Sequence, residues 1–185
     1  MYYWMIRFFL FYFIVIHYRV FRMLFRSDPS GDTNYLSSPI LTMNRILSND
    51  ILGQDYVFVD IGCGEGLIGL FVRLIKKKAV VLHDIQTDFL TMIRLYCRCF
   101  FVSKVHCSHN LMPEYLSPAV FICVWTSWSS DNRRSVISKL SSIVPKGSIF
   151  ISVSHGIEHP AFLEIEKITE TFAWGEASVY YYRHA

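Results

Sequence analysis

The chain has 185 residues and a mass of 21.6 kDa, enough for one globular domain whose core needs neither disulfides nor a metal ion. The net charge is +3, and no arginine-rich tract interleaved with aromatic residues occurs in the body of the chain, which argues against nucleic acid as a partner. Hydrophobic residues make up 52% of the sequence, and part of this excess lies at the N-terminus.

Residues 1–26 are dense in aromatic and branched apolar side chains. The apolar run over residues 2–16 is slightly short for a bilayer span, and its single charge, Arg7, lies near one end and could reach the interface. Three arginines that would lie on one side of a helix follow the run, namely Arg19, Arg22 and Arg26. The pattern fits a membrane-spanning anchor, a helix lying in the membrane interface, or a helix that packs on the domain or dimerises.

We favour membrane association, which makes the membrane a partner of residues 1–26 and keeps the rest of the chain on the cytoplasmic side. A cytoplasmic protein is the alternative. No small-residue cleavage site follows the apolar run, which argues against a cleaved signal peptide. The turn-rich segment SDPSGDTN, residues 27–34, predicts a linker, so the globular domain is expected to cover residues 35–185.

Helix and strand patterns alternate along the rest of the chain. Helices are predicted over residues 41–52, 66–77, 87–101 and 131–143. Strands are predicted over residues 57–61, 79–83, 104–107, 120–125, 148–154, 164–171 and 177–183. This alternation predicts an α/β fold with a doubly wound, mostly parallel, Rossmann-like sheet of seven strands. Ligands of such sheets bind at the carboxyl ends of the strands, beside the first strand.

No metal site is predicted. His106, Cys107 and His109 are close in sequence, but they fall on or beside a predicted strand, where alternate side chains point to opposite faces. The five cysteines form no Cys-x-x-Cys pair, so we interpret them as reduced and mostly buried thiols.

The stretch VFVDIGCGEGLIG, residues 57–69, joins the first predicted strand to a helix through a glycine-rich turn. Gly64, Gly66 and Gly69 spell G-x-G-x-x-G, and Asp84 follows at about the distance expected for an acid that binds a ribose, so the pattern alone permits a dinucleotide such as NAD.

The acidic residues of the turn favour a different ligand. A dinucleotide pyrophosphate needs positive potential at the start of the helix, whereas Asp60 and Glu65 place negative charge there. S-adenosylmethionine (SAM) carries an ammonium and a sulfonium, and its ribose hydroxyls suit a carboxylate. We therefore prefer SAM as the ligand.

The residues VDIGCGEG resemble motif I of class I SAM-dependent methyltransferases, an acid followed by G-x-G-x-G, and four positions match, namely Asp60, Gly62, Gly64 and Gly66. LHDI, residues 82–85, resembles the second motif of that family. The resemblance implies that Asp84 binds the ribose hydroxyls, that Ile85 packs on the adenine, and that Asn110 contacts the adenine edge. It also implies that residues 172–183 complete a C-terminal antiparallel hairpin.

The lead-in NYLSSP resembles that of small methyltransferases, including protein-lysine enzymes with an N-terminal membrane segment, in which the tyrosine helps to close the cofactor site. Tyr35 is the match.

Methyl transfer needs few catalytic groups, so no catalytic residue is assigned. The stretch VWTSWSSD after the fourth strand lacks Asn/Asp-Pro-Pro-aromatic and Pro-Cys motifs, which argues against nucleic-acid methylation. Its Trp125 and Trp128 could line a channel for a lysine, shield the sulfonium, or simply pack under the next helix.

The sequence therefore predicts a SAM-dependent methyltransferase whose acceptor is a protein lysine or a small molecule. Two alternatives remain, a non-catalytic binding module with the Rossmann-like fold and an NAD-binding oxidoreductase.

Overall fold

A computed structural model describes residues 2–25, 40–47, 56–111, 117–126, 128–172 and 174–185. The helices in these ranges are α1 (Tyr2–Phe25), α2 (Ile40–Ile46), α3 (Leu67–Leu74), α4 (Thr87–Cys99) and α5 (Ser130–Ile143). The strands are β1 (Val57–Ile61), β2 (Val80–His83), β3 (Val105–Ser108), β4 (Ala119–Val124), β5 (Ile149–Val153), β6 (Phe162–Phe172) and β7 (Gly175–His184). The predicted linker and Tyr35 lie outside the described residues, as does the second half of the helix predicted over residues 41–52.

The strands form one sheet in the order β3-β2-β1-β4-β5-β7-β6. The first five strands of the chain are parallel to one another, and β7 runs antiparallel to both β5 and β6. This confirms the predicted Rossmann-like sheet of seven strands with an antiparallel C-terminal hairpin. The chain order reverses at β1, which lies between β2 and β4, so the carboxyl end of β1 is the switch point where such folds bind ligands.

The core occupies both faces of the sheet, because successive side chains of a strand point to opposite sides. Phe58 of β1 joins the cluster that includes α1, α2, α3 and α4, whereas Val59 and Ile61 join the cluster under α5. All three are at most 4% exposed. Apart from Asp60, the sequence of β1 is apolar, as a strand covered on both faces requires.

Helix α1 packs on the domain. The Phe8 ring lies 5.8 Å from the Phe71 ring of α3, and the Phe11 ring lies 4.5 Å from the Tyr96 ring of α4, centroid to centroid. The Tyr96 hydroxyl donates a 2.6 Å hydrogen bond to the backbone carbonyl of Arg7. Three interpretations of residues 1–26 were open. These contacts agree with the third, a helix that packs on the domain.

The prediction of a membrane-associated protein with a membrane-spanning N-terminal helix is wrong. Within the described residues, no helix is at once long enough and apolar enough to cross a bilayer. The physical reason for the error lies in α1, where Phe8, Phe11 and Val15 are at most 3% exposed. Part of the apolar density that suggested a membrane segment belongs to the core between α1, α3 and α4.

Helix α3 ends three residues before its predicted end. Lys77 has a φ of 61°, which stops a right-handed helix, and the Arg73 guanidinium donates to the carbonyls of Lys77 at 3.1 Å and Lys78 at 3.3 Å. These bonds satisfy backbone acceptors that follow the helix. The basic residues at this end therefore follow the helix rather than extend it.

Candidate cofactor site

The turn between β1 and α3 is built from left-handed glycines. Gly62, Gly64 and Gly66 have φ values of 71°, 51° and 78°. The backbone N–H groups of Gly62 and Cys63 both donate to the carbonyl of His83, at 2.8 and 2.9 Å. These two hydrogen bonds hold the turn against the carboxyl end of β2. Gly66 is the residue immediately before α3.

Asp60, in β1, lies beneath this turn and is 2% exposed. Its Oδ2 accepts a 3.1 Å hydrogen bond from the Gly69 N–H of α3. Burial raises the pKa of Asp60 from 3.8 to about 7; the Gly69 bond opposes the rise and the charge of Asp84 adds to it. Near neutral pH this carboxyl is therefore divided between its protonated and charged forms, and a cation placed beside it would favour the charged form.

Asp84 directly follows β2 and is 8% exposed. Its Oδ2 accepts from the Gly64 N–H at 2.8 Å, and its Oδ1 accepts from the Gln86 N–H at 2.8 Å. A carboxylate offers about four lone-pair sites, so each oxygen keeps acceptor capacity for one more donor. Asp84 is thus fixed in orientation and can still accept from a pair of hydroxyls.

Exposed residues continue this edge of the sheet. Ile85 is 82% exposed, which is unusual for an isoleucine next to a buried acid. Asn110 is exposed after β3, in a turn where its N–H donates to the Ser108 hydroxyl at 3.2 Å. The Asp84 N–H in turn donates to the Ser108 carbonyl at 3.2 Å. The predicted residues Asp60, Asp84, Ile85 and Asn110 therefore lie at the carboxyl ends of three adjacent strands.

The two tryptophans after β4 have different surroundings. Trp125 is 1% exposed, and its indole N–H donates to the Ser152 hydroxyl of β5. Trp128 is half-buried and meets Trp125 edge to face, with ring centroids 5.1 Å apart. A Cβ placed on Gly62 would lie 2.9 Å from Cζ2 of Trp128. Trp128 therefore covers the first glycine of the turn, while Trp125 lies in the core beside it.

A cavity of about 660 Å³ lies between the start of α5 and the connection from β5 to β6. Its charged and titratable lining residues include Arg133, Arg134, His155, Glu158, His159 and Glu164. The guanidinium of Arg133, a lining residue, donates a 2.7 Å hydrogen bond to the carbonyl of Trp128. Because Trp128 also covers Gly62, residues 128–133 connect the cavity to the glycine turn. Burial, with the nearby Arg133 charge, lowers the pKa of His155. None of the site residues predicted from the sequence lines this cavity; the polar run SHGIEH after the fifth strand, residues 154–159, was the available signal.

Within the described parts of the chain, no three His, Cys, Asp or Glu side chains come together as a metal site.

Gly69 lets α3 approach β2 closely. A Cβ at Gly69 would lie 2.0 Å from Cδ2 of Leu82, which is 0% exposed. We expect Gly69→Ala to lower the free energy of unfolding by about 2 kcal/mol, as overpacked cores do. Urea denaturation measures this loss. In a double-mutant cycle, Leu82→Ala removes the clashing atom, so the double variant should lose less than the sum of the two single losses. Additive losses would contradict the proposed clash.

Comparison with known proteins gives no match to a protein-family model and none to a curated protein sequence. Solved structures do match. A mutant of MtNAS in complex with S-adenosylmethionine has a TM-score of 0.62 at 15% identity, with 78% of this chain and 63% of that chain covered. TrmN from Thermus thermophilus has a TM-score of 0.59 at 11% identity, covering 79% and 48%. This chain therefore spans less than two thirds of either neighbour.

An RNA methyltransferase from Salinibacter ruber in complex with S-adenosyl-L-homocysteine has a TM-score of 0.62 at 17% identity, covering 80% of this chain and 94% of that chain. The [4+2]-cyclase SpnF also has a TM-score of 0.62, at 9% identity, covering 78% and 80%. At these identities the likeness shows the fold alone, a Rossmann-like fold that this chain shares with these proteins. Because a cyclase shares it, the reaction has to be argued from the site.

Proposed function

We propose that this protein is a SAM-dependent methyltransferase. The observation that carries the proposal is the pair of buried carboxylates, Asp60 and Asp84, on either side of a left-handed glycine turn at the switch point of the sheet. Asp84, together with Asp60 in its ionised form, gives the turn negative potential, which repels a pyrophosphate and attracts a ligand with an ammonium and a sulfonium. The solved neighbours in complex with S-adenosylmethionine and S-adenosyl-L-homocysteine share this fold and support the same ligand.

The residues present fit SAM in three respects. The Asp84 oxygens retain acceptor capacity for the two ribose hydroxyls, and the exposed Ile85 offers an apolar face to the adenine. The three glycines of the turn, which have no side chains, allow the methionine part to approach the backbone. We assign Asn110 to the adenine edge, and Tyr35 to closure over the cofactor. When bound, SAM supplies a methyl group already activated by the sulfonium.

The protein's own contribution is positioning. Residues that hold the donor and the acceptor in line and exclude water supply most of the catalysis in such a displacement, without an obligatory acid or base. We propose that the acceptor, a protein lysine or a small molecule, approaches through the cavity beside Trp128. The cavity lining carries both arginines and carboxylates, which suits a polar acceptor with charges of both signs.

Calorimetric titration of the full chain with SAM, and separately with NAD, tests the cofactor. The full chain is needed because α1 covers part of the core. We expect SAM to bind and NAD not to bind. Binding of NAD alone would replace the proposal with an NAD-dependent oxidoreductase. Binding of neither would leave a non-catalytic module. Transfer of a labelled methyl group from SAM to candidate acceptors then tests the activity.

Trp128 provides a test of how the sulfonium is recognised. If its indole faces the sulfonium, Trp128→Leu should weaken SAM binding by about tenfold through loss of a cation–π interaction. Binding of S-adenosylhomocysteine, which has no positive sulfur, should change less, and Trp128→Phe should retain part of the preference for SAM. Titrations with both ligands measure this preference. An equal loss for the two ligands would mean that Trp128 only supports the turn at Gly62.

A further inference from the structure

Over residues 3–15, helix α1 is apolar on two opposite faces. One face is buried against α3 and α4 through Phe8, Phe11 and Val15, which are at most 3% exposed. The opposite face, which we call the outer face of α1, carries large apolar side chains that are 37% to 61% exposed, namely Tyr3, Met5, Ile6, Phe9, Leu10, Phe13 and Ile14. A helix that is apolar all round is normally covered on all sides, so the outer face calls for a second covering surface.

The size of the outer face suits a specific interface. A large side chain carries up to about 200 Å² of surface, so seven such residues at these exposures present on the order of 700 Å². The largest apolar patch on an ordinary monomer is about 300–600 Å², whereas each partner of a standard protein interface contributes about 800 Å². The outer face is therefore larger than the largest apolar patch of an ordinary monomer, and its area approaches what each partner contributes to a standard protein interface.

The charge pattern of α1 also suits a symmetric contact. Arg7 is the only charged residue between residues 2 and 16; it is 9% exposed, and its guanidinium lies 4.6 Å from the centre of the Tyr3 ring. Within residues 2–16, two outer faces can consequently meet without bringing like charges together. Ile6, Leu10 and Phe13 also follow one another at the i, i+4 and i+7 spacing along which helices pack.

We propose that the outer face of α1 pairs with the same face of a second copy of this chain, about a twofold axis, to form a homodimer. In such a pairing the same patch is used on both subunits, so an apolar face without charge is complementary to itself. The interface lies on the α1 side of the sheet and does not depend on the proposed methyl transfer.

Sedimentation velocity of the full chain, from low to high micromolar concentration, tests the dimer. The wild-type protein should sediment as a dimer. Ile6→Glu combined with Leu10→Glu should give a monomer, because the dimer Kd rises by a factor of about 100 or more when unpaired carboxylates are buried. Leu95→Glu, at a residue of α4 that is 62% exposed, is the matched control and should remain dimeric.

Three results would overturn the dimer. The wild-type protein could stay monomeric over the whole concentration range. The Ile6→Glu/Leu10→Glu variant, with unchanged circular dichroism, could associate as tightly as the wild type. Or a monomeric wild-type protein could co-sediment with phosphatidylcholine vesicles, which would assign the outer face to a lipid surface instead.

Discussion

Asp84→Ala is expected to lower the affinity for SAM by a factor of about 100 or more, because the variant loses the acceptor for both ribose hydroxyls. A hydrogen bond to a charged group contributes about 1.5–3 kcal/mol, so losing two of them costs at least about 3 kcal/mol of binding free energy. The side chain also orders the turn, through its bonds from the N–H groups of Gly64 and Gln86. Calorimetric titration of the variant with SAM measures the effect.

Two further variants separate ribose binding from loss of the turn. Asp84→Asn keeps the shape and one acceptor oxygen, so it should lose less affinity than the alanine variant. Glu176→Ala removes an exposed acid from the start of β7 and should bind SAM as the wild type does. Circular dichroism and urea denaturation check that Asp84→Ala remains folded. A folded Asp84→Ala protein with wild-type SAM affinity would contradict the assignment of this residue.

Much of the fold could be predicted because its signals are local. The glycine turn, the buried strand before it and Asp84 after the next strand lie within about 30 residues, and each has a distinctive residue pattern. The observed strand bounds stay within about two residues of the predicted ones. The parallel order of the sheet follows from the alternation of strands and helices together with the handedness of their connections.

What could not be predicted depends on contacts between distant parts of the chain. The contact of Trp128 with Gly62 joins residues far apart in sequence, so no local sequence pattern predicts it. Helix α1 was misread for a related reason. Composition shows that a helix is apolar but not which surface covers it, and the cover here includes Phe71 and Tyr96 of the domain itself.

The protonation of Asp60 is another property that only the folded structure reveals, and it leads to the second large expected effect. Its pKa rises from 3.8 to about 7 in the folded protein, so between these values the folded state holds a proton that the unfolded state has released. The contribution of Asp60 to the free energy of unfolding therefore falls as pH rises through this interval and levels off above pH 7. A difference of about three pKa units corresponds to about 4 kcal/mol.

Asp60→Asn should remove this pH dependence. The amide mimics the protonated acid in shape and can still accept from the Gly69 N–H, so the variant should match the wild type below about pH 4. At pH 8 it should be more stable by about 3 kcal/mol, because no charge is buried. Urea denaturation at both pH values measures the difference. Glu176→Gln, at an exposed acid, should follow the wild-type profile. Parallel profiles for the wild type and Asp60→Asn would show that Asp60 is not the group responsible.

Asp60→Asn should also weaken SAM binding, which links the stability cost of the buried Asp60 carboxylate to the proposed function. A cationic ligand stabilises the carboxylate and lowers its pKa, so wild-type binding near pH 7 should release a fraction of a proton and tighten as pH rises from 6 to 8. Asp60→Asn has no proton to release, so its affinity should be weaker and independent of pH over this range. Titrations in buffers of different ionisation enthalpy measure the released proton. A buried acid that costs stability until a cation arrives is the arrangement expected where folding stability has been exchanged for binding.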